Sequence, residues 1–149
     1  MRRKNALRKH YIAPYKGEEN AESIEFKLLA KYIATANDET DEDTDDTGYY
    51  DGDGTPEETV ISVSAGYSFE GVYDPEDEAQ KIIAGMRYKI GDDRRVWFKV
   101  VSSDGKMQHV GVANVSGIKA GDGDATEYEK FECTIRWIKL PKESAVVGG

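Results

Sequence analysis

Hydrophobic and polar positions alternate most cleanly over residues 59–71, where Ile61, Val63, Ala65, Tyr67 and Phe69 point one way and Ser62, Ser64, Gly66, Ser68 and Glu70 the other. Successive side chains of a strand face opposite sides, so the pattern predicts one long, half-buried strand. The same period runs through residues 94–102 (Val96, Phe98, Val100) and 127–140, where Phe131, Cys133, Ile135 and Trp137 are set against Lys130, Glu132, Thr134 and Arg136. Residues 106–118 face 94–102 across Asp104-Gly105, a dipeptide suited to the positive φ angles of a tight hairpin. The Gly121-Asp122-Gly123-Asp124 turn precedes the final strand, and Pro141 ends it. Ile24, Phe26, Leu28, Ala30 and Tyr32 also alternate, favouring a strand over residues 24–36; Leu29 and Ile33 leave a helical stripe as the competing reading.

One helix is predicted over residues 74–86. Asp74 stands where it can cap, Pro75 occupies the first helical position, and Glu76, Asp77 and Glu78 complement the positive end of the helix dipole. Ala79, Ile82, Ile83 and Met86 then form a single apolar stripe, as in a helix lying on a sheet. The order of elements predicts a mainly β domain over residues 21–141, an antiparallel sandwich or open barrel with one flanking helix.

Three stretches carry no such pattern. Residues 1–20 are polar and basic, interrupted by Pro14 and Gly17, and predict an extended N-terminal arm. Residues 37–58 hold Asp38, Asp41, Glu42, Asp43, Asp45 and Asp46 among other acids with almost nothing apolar, and predict a long self-repelling loop. Residues 142–149 predict a flexible tail.

Composition narrows the function. A chain of 149 residues supports one core. Its net charge of −9 argues against the basic face by which a protein holds nucleic-acid phosphates. Cys133 is the one cysteine, so no intrachain disulfide and no thiolate metal cluster can form, which fits a reducing compartment. No apolar run of membrane-spanning or signal-peptide length occurs, and folding in the cytoplasm with no membrane partner is expected.

Candidate chemistry is sparse. Asp41, Asp43 and Asp45 have the first spacings of a calcium loop, but the required glycine position is Asp46 and the bidentate glutamate position is Gly52. His10 and His109 have no cysteine or second histidine beside them, and Cys133 alternates with core residues, where a thiol is inert. Trp97 and Trp137 are read as packing residues before a sugar platform. No catalytic, cofactor-binding or metal site is predicted. A binding module for carbohydrate or calcium and a small hydrolase using loop carboxylates are the competing classes. The outstanding feature is charge asymmetry: the arm residues Arg2, Arg3, Lys4, Arg8 and Lys9, with Tyr11, precede the acids of residues 37–58, with Tyr49 and Tyr50. Opposite patches on one chain can join copies head to tail into a ring or a filament.

The stretch Ser64-Ala-Gly-Tyr-Ser-Phe-Glu-Gly71 with the helix after it, and Asp124-Ala-Thr-Glu-Tyr-Glu-Lys-Phe131 running into the last strand, resemble the tail tube (major tail) proteins of long, non-contractile-tailed bacteriophages. The resemblance implies a non-enzymatic virion protein, assembled in the host cytoplasm into hexameric rings stacked as a conduit for DNA ejection. It also implies other tail proteins as partners (tape measure, tail terminator, distal tail protein), and assigns the arm and the acidic segment to contacts between rings. A related tube of a phage-derived particle or secretion system is the nearest alternative. Because a channel for DNA must not hold it, an acidic lumen is expected.

Overall fold

A computed structural model describes residues 2–15, 25–48, 50 and 52–146. The strands are β1 (Lys9–Pro14), β2 (Lys27–Leu28), β3 (Ile33–Asp38), β4 (Asp41–Thr47), β5 (Glu57–Ser64), β6 (Gly66–Val72), β7 (Arg95–Val101), β8 (Met107–Ala120), β9 (Lys130–Trp137) and β10 (Lys142–Ala145), with one helix, α1 (Glu78–Ala84). Eight strands form one antiparallel sheet in the order β2-β1-β7-β8-β9-β6-β3, with β10 beside β8; β4 and β5 pair only with each other. The sheet curls into a half-barrel, so the expected sandwich or open barrel is realised as the open form.

The core fills the curl. Phe69, Phe98 and Phe131 are at most 1 % exposed and come from β6, β7 and β9, at the alternate positions that the sequence sets inward. Each such side chain contributes roughly 1.5–3 kcal/mol by leaving water. Phe69 meets Phe98 edge-on at 6.1 Å, and Phe98 lies 4.9 Å from Trp137, whose indole N–H donates to the Phe98 carbonyl. The turn after β7 falls where predicted, but only Gly105 takes a positive φ, at 73°, and it donates to the Ser102 carbonyl, so that the loop is longer than a two-residue turn.

The helix is shorter than residues 74–86. Asp77 is its cap, accepting from the Gln80 amide at 3.2 Å, because Pro75 and Glu76 form a turn ahead of it. Asp74 instead holds that turn, accepting from Glu76 N and pairing with Lys31 at 3.0 Å. Ala79, Ile83 and Met86 are buried under the sheet, with Ile82 partly so.

Four expectations change. The arm is not free of the body: β1 lies between β2 and β7, with His10, Ile12 and Ala13 buried. The single strand over residues 24–36 is broken, because Tyr32 adopts φ 62° and Ile33 donates to the Ala30 carbonyl; Leu29 enters the core while Leu28 and Tyr32 are exposed. The strand over residues 59–71 is divided at Ala65, and its first half leaves the sheet. Within the expected tail, Lys142–Ala145 pairs with β8; residues 147–149 lie outside the described residues.

Candidate assembly surfaces

The acidic segment is a hairpin rather than a loop. β4 pairs with β5 from Asp41↔Ser64 to Thr47↔Glu57, with a bulge after Asp43 that leaves Ile61 unpaired. Alternation from this register puts Asp41, Asp43 and Asp45 on one face with Ser62 and Ser64, and Val60 and Val63 on the other among Glu42, Asp46 and Glu58. The hairpin is anchored to the body at its base. Glu39 donates its amide to the Gly66 carbonyl and accepts from the Ser68 hydroxyl, and Arg136 donates to the Ser64 hydroxyl at 2.7 Å. Farther out, Ser62 donates to Asp43 at 2.8 Å. Val60, Ile61 and Val63 are 48 %, 64 % and 37 % exposed.

This geometry also explains why Asp41, Asp43 and Asp45 make no calcium loop. On a strand, residues two apart are about 7 Å apart along one face, so their carboxylates form a row instead of converging. Among the described residues no group of three or more His, Cys, Asp or Glu is placed to hold a metal ion.

The basic residues of the N-terminus are dispersed. Arg3 pairs with Asp104 at 3.0 Å; the Ser102 hydroxyl, the Lys106 amide and Arg3 together hold the Asp104 carboxyl down at about 2. Arg8 donates to His10 and to Asn5 and lies over the Tyr67 ring. Tyr11 stacks beneath Lys99, which also sits over Phe26; burial lowers the Lys99 ammonium pKa. Arg2, Lys4 and Lys9 are exposed. The structure therefore does not gather the expected cations into one patch: Arg3 and Arg8 are engaged within the subunit. Of the residues expected in the acidic loop, Asp38 accepts from both the amide and the hydroxyl of Thr40, Tyr50 is fully exposed, and Tyr49 lies outside the described residues.

A groove of about 410 Å³ opens between the N-terminal segment and β3. Leu28, Ile33, Ala34 and Ala36 give it an apolar lining, and Arg8 and Lys9 border it. Its lining comes from the N-terminal segment on one side and, on the other, from residues on either side of the short link between β2 and β3; no sequence pattern pointed here, because it forms only where these two stretches meet.

The remaining candidates are packing residues. Burial pushes the Cys133 thiol up to about 12. His109 bonds to Glu143 at 3.0 Å on β8 and β10. Trp137 faces the core while Trp97, on β7, sits on the opposite face against Tyr15, so the two indoles share no platform.

No family model and no curated relative matches the sequence. Solved structures do. A chain in the tail of an empty GTA particle with C6 symmetry superposes with a TM-score of 0.72 at 15 % identity, covering 97 % of this chain and all of that one. The SPP1 tail tube matches with a TM-score of 0.68 at 14 % identity over 98 % of this chain and 81 % of its own. The sheath-tube complex of an extracellular contractile injection system matches at 0.52 and 15 % identity, over 93 % of this chain and 89 % of that one. With its half-barrel, single flanking helix and projecting hairpin, the chain has the fold found in phage-type tail tubes.

Proposed function

We propose that this protein is a structural subunit that self-assembles into hexameric rings, stacked as the tube of a virion tail, and that it has no enzymatic role. The observation that carries the reading is the β4–β5 hairpin. A two-stranded sheet alone is marginal in water, and this one pairs with no other strand among the described residues and exposes Val60, Ile61 and Val63. A neighbouring subunit supplies the missing contact. The fold likeness to a tail of C6 symmetry supports the ring number.

The outer face of β3, β6, β9 and β8 supports the conduit. Register places Asn37, Ser68, Thr134 and Ser116 in one row across it, with Thr35, Glu70, Glu132 and Lys119 in the next. In this reading that face lines the channel, and DNA slides past hydroxyl and amide groups and a mixture of charges without being held. If this face lines the channel, the acidic lumen expected for a conduit that must not hold DNA would be tempered, because Glu70 and Glu132 are offset by Lys119 and Arg136. The tape measure, tail terminator and distal tail proteins would meet the lumen and the ends of the tube.

Sedimentation velocity tests the assignment of the hairpin. Replacing residues 42–63 by a short glycine-serine link leaves β3, β6 and the core in place; the account expects the variant to stay monomeric with an unchanged circular dichroism spectrum. Assembly equal to that of the full chain would remove the hairpin from the mechanism. The likeness to GTA and contractile-injection structures keeps a tube of a phage-derived particle as the second reading, and mass spectrometry of particles carrying the protein separates the two.

A further inference from the structure

We propose that the groove between the N-terminal segment and β3 receives the β4–β5 hairpin of a second copy of this chain. The proposal rests on the tube reading and adds the place where one subunit grips the next.

The two surfaces are complementary in polarity and in charge. The hairpin offers an apolar spot, Val60 and Val63, ringed by Glu42, Asp46 and Glu58. The groove offers apolar Leu28, Ala34 and Ala36 interleaved with polar Asn5, Thr35 and Asn37, bordered by Arg8 and Lys9. An apolar centre excludes water while opposite charges at the rim steer the approach and fix register. Its volume of about 410 Å³ is in the range that encloses a ligand of several side chains' size.

One wall of the groove is a sheet edge. β3 pairs with β6 on one side, and no strand lies along its other side among the described residues. Unpaired edge groups are a template for an added strand. None of the groove-lining residues comes from this chain's own hairpin, whose strands pair only with each other. The contact joins two different surfaces and is therefore heterologous, the type that closes a ring or propagates a stack.

Disulfide trapping between copies tests the proposal. One preparation carries Ala34→Cys in the groove, a second carries Val60→Cys on the hairpin; both positions are exposed, and native Cys133 is buried and does not compete. Mixed and oxidised during assembly, the pair is expected to give roughly ten-fold more cross-linked dimer than Ala34→Cys mixed with Val146→Cys, because docking raises the effective concentration of the matched thiols. An independent charge exchange covers the case in which a cysteine variant fails to fold. Lys9→Glu is expected to raise the concentration needed for assembly roughly ten-fold, and Asp46→Lys in the same chain to restore it. If rings or tubes form but Ala34→Cys couples equally well to Val146→Cys, or the second charge reversal gives no rescue, the groove is not the receptor and the tube reading stands. If the unmodified chain forms no assembly under any condition, the tube reading falls and this proposal with it.

Discussion

Arg8 donates a hydrogen bond from Nε to Nε2 of His10 at 3.1 Å, and so fixes His10 as a neutral acceptor inside the core. The ring lies 5.1 Å from that of Tyr67, 5.0 Å from Phe69 and stacks on Phe98. Burial first, and the Arg8 charge second, lower its pKa from 6.5 to about 4. Unfolding releases the imidazole to its ordinary value, so between these two pH values the unfolded chain binds more protons than the native one.

The consequence is an acid-sensitive N-terminal strand. Stability is unaffected by His10 above pH 6.5 and falls as pH drops toward 4, by about 3 kcal/mol in all. Denaturant midpoints measured across that window should show this slope in the wild type and a much flatter one in His10→Phe. Asp104 acts in a separate, lower window, between 3.8 and about 2, where protonation releases Arg3 and the hairpin turn. A wild-type profile that is flat from pH 6.5 to 4 would contradict the burial of His10.

Gln80 ties three parts of the chain together. Fully buried, it donates Nε2 to the carbonyls of Lys31 and Val72 and accepts from the Asp74 amide through Oε1. Gln80→Leu keeps the volume and leaves those three backbone groups without their partner. A loss of about 3 kcal/mol or more is expected in urea unfolding, since each buried unsatisfied group costs roughly 1–3 kcal/mol.

Gly71 is required by the close approach of β6 to the turn before β3. A Cβ there would collide with the Tyr32 carbonyl, and backbone cannot move aside as a flexible side chain can. Gly71→Ala is expected to lower stability by roughly 1–3 kcal/mol, and to raise amide exchange at Val72, whose N–H donates to Tyr32 O. Wild-type exchange at Val72 in the alanine variant would show that the turn adapts.

Truncation separates the two halves of the N-terminal segment. Removing residues 1–4 costs the exposed Arg3–Asp104 pair, worth little in water, and should leave the melting temperature nearly unchanged. Removing residues 1–14 deletes β1, exposes Val96, Phe98 and Val100 along β7, and should abolish cooperative unfolding.

The core of this fold was legible wherever one sheet face is buried. Phe69, Phe98, Phe131 and Ile135 announced their strands because burial on one side forces alternation. The N-terminal strand was hidden for a physical reason. His10 and Ile12 are buried against exposed Lys9 and half-buried Tyr11, but the alternation lasts only four residues before Ala13 is buried on the other face, too short a run with a histidine in it to read as a strand. Pro14 and the flanking charges then read as an arm.

The hairpin misled in a different way. Ile61 and Val63 continue the alternation of Tyr67 and Phe69 without interruption, yet they leave the body at Ala65 and remain exposed. A strand whose apolar residues leave the body has the same pattern as one that faces its own core. The acids of β4 hid a strand because charge repulsion predicts a loop, whereas cross-strand Ser62 and Val63 hold Asp43 and Glu42 in register. The groove was not legible, since it needs the N-terminal segment to lie beside residues 28–37, and no local pattern signals that approach.

Electron microscopy of the purified chain at high concentration tests the central claim most directly. The account predicts stacked rings with an open central channel, and density joining each hairpin to a neighbouring subunit. Isolated monomers at every concentration, with the hairpin already ordered against its own subunit, would contradict it.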